Sequence, residues 1–349
     1  MNDALSQTRR VGIDLIKSFA IFGVLVQHTA YYGFLAPVRS FGWISAAVWG
    51  SVFRTSVPLF FMCSGALLLA PEKELPLRRL FGKNYLKILL AVLVWALGYK
   101  LFHLLLDGAF SLPALWQGVK ETLLFQHEFH LYFLHILLLV YAFLPLTRRF
   151  VRHATDQELR YALALWFLLG ILYPTLRPYW PLTLLSAIPL QWMLNMSYAA
   201  IGYGLLGYCL SRRPLSPSAA VGLGAAGLVL TFVPTLLLSL RQGTLAEQFL
   251  GGMSVGVCLL AAGQYALLDR LGARLRERSA RRAGFLSRSS FCVYLVHVVF
   301  LNLFQRWDLT AAVYPAVIAI PALSLLLWLL SAAVYLVLSR IPFVRKWLI

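Results

Sequence analysis

The sequence is poor in charge. Of its 349 residues only 13% are charged, and 13 carboxylates face 31 lysines and arginines. Hydrophobic residues make up 60% of the chain, more than a water-soluble domain of this length can cover with polar side chains. That balance excludes a soluble globular fold. Cysteine is scarce as well: Cys63, Cys209, Cys258 and Cys292 all fall inside apolar runs, with no Cys-x-x-Cys spacing. Neither a disulfide framework nor a cysteine zinc site can organise the chain. The net charge of +18 comes with no basic domain or recognition motif, so nucleic acid is not an expected partner. No internal repeat is visible, which weighs against transporter folds built from matching halves.

Long apolar runs are abundant, each approaching the ~20 residues that cross a bilayer as a helix. Ten spans are expected, near Val11–Tyr31, Trp43–Ala70, Asn84–Leu106, Leu131–Leu146, Tyr161–Leu176, Met193–Leu210, Ser218–Leu240, Glu247–Leu268, Ser289–Phe304 and Ala311–Leu338. The second and tenth exceed the minimum, so tilt or a kink at Pro58, Pro315 or Pro321 is expected there. If alternate gaps between spans share a side, 23 of the 31 basic residues fall on one side. They are Arg9 and Arg10; Lys73, Arg78, Arg79, Lys83 and Lys87; Arg148, Arg149, Arg152 and Arg160; Arg212 and Arg213; seven arginines from Arg270 to Arg288; and Arg340, Arg345 and Lys346. The other side holds Arg39, Lys120, Arg177, Arg241 and Arg306. Basic loops stay in the cytoplasm, so both termini are expected inside. The fold class expected is all-α: a polytopic membrane helical bundle forming a single domain over residues 1–349. The first run carries Lys17, Gln27 and His28 and lacks a small-residue cleavage site, which argues against a cleaved signal peptide. The longest outer connection runs from about Asp107 to His130, and the Pro-rich stretch Arg177–Asn195 is expected at the interface.

Ionisable groups within the spans carry the chemistry, because a charge in a lipid-crossing helix needs a protein interior, a partner or a watery cavity. Lys17 and His28 are eleven residues apart, close to three full turns, so they share one face of the first helix ~16 Å apart. That spacing leaves two readings open: a functional pair, or a snorkelling lysine and a histidine bonded to a neighbouring helix. Arg54 stands about ten residues into the second span and needs an anion or several acceptors. Asp14, Glu128 and a substrate are all open as its partner. His127, Glu128 and His130 stand at the mouth of the fourth span, with His135 a turn deeper. His127 and His130 have helical metal-ligand spacing but no evident further ligand, so no metal is expected. His297 is a second intramembrane histidine. Gly202-Tyr-Gly-Leu-Leu-Gly207 spells a dinucleotide fingerprint by letters but sits in an apolar span, where glycines serve helix packing. Gly252-x-x-x-Gly256 and similar small-residue faces suit contacts within a chain or between copies of it, so a homo-oligomer stays open.

These residues resemble the acyltransferase 3 family of bacterial membrane O-acyltransferases. Its first helix carries a basic residue, ten intervening positions and a histidine, as Lys17 and His28 do. Ile13-Asp14-Leu15-Ile16-Lys17 is similar to the family's "ID-x-L-R" start, with lysine where arginine is commoner. Arg54 through Gly65 resembles "R-x-x-VPLFF-x-x-SG", seen in the branch containing the enterobacterial common antigen O-acetyltransferase. His130-Leu-Tyr-Phe-Leu134 resembles "HLWFL", and Ile201–Tyr208 and Tyr294–His297 match weaker signatures. The loop before the third helix has Lys83 and Lys87 where two arginines three apart are common.

The resemblance implies transfer of an acyl group, most commonly acetyl, from cytoplasmic acyl-CoA to a hydroxyl of an extracytoplasmic or lipid-linked glycan, in a bacterial inner membrane. In that reading Lys17, Arg78, Arg79, Lys83 and Lys87 hold the CoA phosphates and His28 is the general base. An acyl-histidine intermediate is an alternative. Asp14 lies ~21 Å along the helix from His28 and cannot orient it. Asp14, Arg54, His130 and His297 are candidates for substrate or site support, and Arg54 and His297 for orienting His28. The competing reading is a transporter or flippase of a lipid-linked saccharide. It gains from the ten spans and loses from the missing repeat and the first-helix motif.

Overall fold

The computed structural model describes residues 11–72, 74–185 and 187–349, and Arg9, Arg10 and Lys73 of the charge pattern lie outside them. The chain runs α1 (Val11–Gly33), α2 (Phe41–Phe53), α3 (Ser56–Leu68), α4 (Leu77–Arg79), α5 (Leu86–Leu106), α6 (Leu112–Leu123), α7 (Tyr132–His153) and α8 (Asp156–Phe167). It continues with α9 (Tyr173–Leu176), α10 (Met196–Arg212), α11 (Pro217–Gln242), α12 (Val255–Ala273), α13 (Glu277–Arg306), α14 (Ala316–Leu338) and α15 (Pro342–Trp347). The protein is an all-α polytopic membrane bundle.

Among the described residues eight helical stretches are long and apolar enough to cross a membrane. They correspond to eight of the ten expected spans. The other two fall on α10, which has 17 residues, and α12, which carries Gln264, Asp269 and Arg270 within its 19. Both are enclosed by other helices and contribute long buried faces, so their surroundings are protein as much as lipid. α13 begins twelve residues before the expected span, since its polar first turns extend beyond the apolar stretch that hydropathy detects. The connection between α5 and α7 contains the helix α6, capped by Ser111 and tied back to α5 by a 2.5 Å Lys100–Glu121 ion pair. Among the described residues of the stretch expected at the interface are two short 3-10 turns, Leu182–Leu184 and Ile188–Trp192.

α1 is the hub of the bundle, packed against α2, α3, α12, α13 and α14. Its small and β-branched residues (Gly12, Ala20, Gly23, Val24, Val26) allow neighbours on several sides at once. The expected second span is broken at Arg54–Thr55, one turn before Pro58. Proline supplies no backbone N–H to the carbonyl four residues earlier, so a helix interrupted there is the local consequence of the sequence. In a membrane the freed groups need partners from protein. Gln264 of α12 donates to the Val52 carbonyl at 2.9 Å and accepts from the Thr55 hydroxyl, and Ser56 Oγ donates to the Phe53 carbonyl at 2.7 Å.

The glycine-rich run of α10 is a packing face, as its position in an apolar span predicts. α10 lies backbone-on-backbone against α3. A Cβ built at Gly65 would stand 1.8 Å from the Gly204 carbonyl oxygen, and one at Gly207 would stand 2.1 Å from that of Met62. Main chain cannot swing aside as a flexible side chain can. Gly207→Ala is therefore expected to lower stability by ~1–3 kcal/mol, read as a fall in thermal midpoint in detergent. Gly222→Ala, with nothing within 4 Å of the added carbon, should leave the midpoint unchanged or raise it.

Candidate functional site

Four separate segments meet in one cavity of about 400 Å³. α1 supplies Gln27 and His28. The break between α2 and α3 supplies Arg54. The 3-10 turn Phe129–Leu131 and the first residue of α7 supply His130 and Tyr132, and α13 supplies Tyr294. The segment Gly251–Met253 closes one side, held by a 2.7 Å bond from the Tyr203 hydroxyl to the Gly252 carbonyl.

Arg54 is fixed entirely by neutral acceptors. Its Nη1 donates to Gln27 Oε1 at 3.0 Å and its Nε to the Leu250 carbonyl, while Gln27 Nε2 donates to the Gly50 carbonyl at 2.7 Å. Among the described residues no carboxylate forms an ion pair with Arg54. Of the two carboxylates considered from the sequence, Asp14 stands in the first turn of α1, and Glu128 is bonded instead to His103 at 2.8 Å. A guanidinium that lines a cavity with two of its five N–H donors on neutral acceptors keeps three for an anionic or developing negative oxygen.

His28, His130 and His297 form a cluster. The His28 and His297 rings lie 5.0 Å apart between centroids, and His130 and His297 5.4 Å. His297 is 0% exposed and its Nδ1 lies 2.7 Å from the Tyr294 carbonyl. A carbonyl only accepts, so Nδ1 carries the hydrogen and Nε2 presents a lone pair. The two ring nitrogens of His130 and Nε2 of His297 are buried with no hydrogen-bond partner among the described residues. The Tyr294 hydroxyl donates to the His130 carbonyl, tying α13 to the 3-10 turn, and the Tyr99 hydroxyl donates to the Leu295 carbonyl at 2.7 Å beside it. His28 is half-buried and lines the cavity. An imidazole on a cavity wall, with a second imidazole acceptor behind it and a guanidinium among the other lining groups, is equipped to take a proton from a hydroxyl while an anionic oxygen is stabilised.

The expected residues divide into two groups. His28, Arg54 and His130 line the cavity, and His297 packs behind it. Lys17, three turns away on α1, is half-buried and does not line it, and Asp14 lies further along the same helix. Arg78, Arg79 and Lys83 are exposed around the π-helical turn Leu80–Tyr85. Lys87 is engaged elsewhere: its Nζ donates to the main-chain oxygen of Ile349 and lies 5.7 Å from the Phe291 ring centroid. His127 and His130 do not act as a pair. His127 bonds His135 at 3.0 Å, while His130 turns into the histidine cluster.

Residues 10–341 match the acyltransferase 3 family, described as an acyltransferase domain. The chain belongs to that family. No curated protein and no solved structure matches it. The match covers the whole of the cavity described above, so the histidine cluster and Arg54 lie within a membrane acyltransferase domain.

Four residues in or beside this cavity were not singled out as site candidates by the sequence. Gln27 precedes His28 and was readable only as a polar neighbour. Tyr294 stands three residues before His297, a spacing that puts both on one helix face. Tyr132 was marked only as part of the motif-like stretch His130–Leu134, and Gln264 gave no signal beyond polarity in an apolar run. Burial orders the reactivity of the histidines. Diethylpyrocarbonate is expected to modify exposed His153 first, half-buried His28 later, and His130 and His297, at 1% and 0% exposure, last. Peptide mass spectrometry over a time course reads that order, and a His297 adduct preceding the His28 adduct would contradict the arrangement.

Proposed function

We propose that this acyltransferase moves an acyl group, acetyl in the first instance, from cytoplasmic acyl-CoA to a hydroxyl of an extracytoplasmic or lipid-linked glycan in a bacterial inner membrane. The observation that carries the reading is the convergence of His28, Arg54 and His130 on one intramembrane cavity in a member of an acyltransferase family.

In this reading His28 is the general base. The acceptor hydroxyl oxygen attacks the thioester carbonyl carbon as its proton passes to His28, and the carbonyl oxygen becomes an oxyanion facing Arg54. The tetrahedral intermediate collapses, the carbon–sulfur bond breaks, and the CoA thiolate takes the proton from His28. His297 acts as a positioning residue: its Nε2, unpartnered among the described residues and on a ring 5.0 Å from that of His28, is the acceptor toward which the His28 N–H turns as the base takes up its proton, with the other His28 nitrogen free to act. His130 and Tyr132 face the acceptor. The donor enters at the end of the bundle bearing Arg78, Arg79 and Lys83, and Lys17 adds a further positive charge on α1. Lys87 is the weakest of these candidates because its ammonium already has the Ile349 oxygen as a partner.

In reconstituted protein given radiolabelled acetyl-CoA and a membrane glycan extract, His28→Gln is expected to lower transfer by roughly 10²–10⁴-fold, the usual contribution of a general base. Arg54→Gln should lower kcat by roughly 10²–10³-fold, with acetyl-CoA affinity preserved. Normal transfer by His28→Gln would remove the base assignment. Mass spectrometry of surface glycans with and without the protein tests the broader reading. A missing acyl mass supports it, and accumulation of an untransported precursor would favour a flippase instead.

A further inference from the structure

A second cavity, of about 570 Å³, opens where α7, α8 and α10 end or begin. Arg152, Arg160, Arg212 and Arg213 line it. Two of these have acidic partners: Arg213 pairs with Asp156, and Arg212 approaches Glu72 at 3.5 Å. Among the described residues Arg152 and Arg160 form no ion pair. Four guanidinium groups thus face two carboxylates, and the surplus is positive. The exposed loop with Arg78, Arg79 and Lys83 adjoins this end, because Leu80 is buried in the same cluster as Val151 and Tyr208. Three gaps that the charge pattern assigns to one side of the membrane therefore meet at one cavity.

This cavity and the histidine cavity lie on one seam. α3, α7 and α10 run in the same direction, and their residues advance together along it. The histidine cavity takes Phe61 of α3, Ile136 of α7 and Met196 of α10. A void of about 20 Å³ then takes Ser64, Val140 and Ile201 from the same three helices. The arginine cavity follows with Arg152 of α7 and Arg212 of α10. From Ile136 to Arg152 the distance along α7 is ~24 Å. The seam is apolar apart from the hydroxyls of Ser64, Tyr141 and Thr147.

We propose that the arginine cavity holds the phosphates of the nucleotide end of the acyl donor, and that the α3–α7–α10 seam is the path by which its thioester arm reaches the histidine cavity. This rests on the proposed reading that the donor is a CoA thioester. Guanidinium groups bind phosphate oxygens in bidentate fashion, and a slender chain with few polar groups suits the narrow, mostly apolar passage. The same chemistry, a phosphate with an attached chain, belongs to an anionic phospholipid, and the experiment separates the two sources.

The test uses full-length protein in phosphatidylcholine nanodiscs, with acetyl-CoA affinity measured by calorimetry. The doubly substituted Arg152→Gln, Arg160→Gln protein is expected to bind acetyl-CoA roughly 10- to 100-fold more weakly, with an unchanged thermal midpoint. The charge-matched control, Arg278→Gln with Arg281→Gln at the start of α13, should bind as the wild type does. Val140→Trp, which fills the void, should retain acetyl-CoA binding while losing transfer. Wild-type binding with no loss in the double variant would overturn the site and leave the CoA reading intact. Absence of acetyl-CoA binding by the wild type would overturn both. If the double variant instead loses only retained phosphatidylglycerol, in nanodiscs containing that lipid, the cavity is a headgroup site and the proposal fails.

Discussion

The site depends on an interrupted helix. Lipid offers no hydrogen bonds, so a break in a membrane-crossing helix survives only where protein groups satisfy the backbone atoms it frees. At Arg54–Thr55 that work is shared by Gln264, Ser56 and the Thr55 hydroxyl. The break turns Arg54 out of the helix and into the cavity, and Gln27 and the Leu250 carbonyl fix its guanidinium there. Removing the interruption would run the second span straight past the cavity, with Arg54 facing apolar neighbours. The arginine, the break and the polar residues around it are therefore one device rather than three.

The histidine cluster follows a complementary logic. Each imidazole comes from a different element, and each element is held by a bond that does not consume the ring nitrogens of His28. Tyr294 uses its hydroxyl on the His130 carbonyl and its own carbonyl on His297 Nδ1, so a single tyrosine sets both the 3-10 turn and the tautomer of the buried histidine. Such a fixed tautomer leaves one lone pair directed away from Tyr294 and toward the remaining cluster. In apolar surroundings that lone pair is the natural acceptor for an adjacent N–H, which makes His297 the better candidate for orienting His28 than Arg54, a pure donor that could engage only the lone pair His28 needs as a base.

How much was legible beforehand varies with the kind of signal. The helical class followed from composition and apolar runs, and His28, Arg54, His130 and His297 each stood out as a costly group in an apolar context. Their convergence was not legible, because four elements far apart in sequence meet only through tertiary packing. The Lys17–His28 face is real as helix geometry, yet only His28 reaches the cavity, since a shared face over three turns says nothing about where a cavity begins. Helices α10 and α12 were read as ordinary spans. Burial among other helices lets them be shorter or more polar than a lipid-facing span. The arginines of α7, α8 and α10 were visible only as loop charge, because their meeting depends on three helix ends closing on one another.

The seam between the two cavities has one side that can yield. α3 and α10 touch through main chain at Gly65, Gly204 and Gly207, and opening them would require moving whole helices. α7 meets them differently. It is pinned at one end by the bond from Arg148 to the Leu68 carbonyl, and just before its other end by Tyr294 bonded to the His130 carbonyl. Between these two anchors it presents side chains such as Val140, Tyr141 and Leu144, and it contains Pro145, which removes one bond from its own ladder. A chain passing from the arginine cavity to the histidines would therefore displace α7 side chains and bend α7 near Pro145, with the α3–α10 contact and Arg54 left in place.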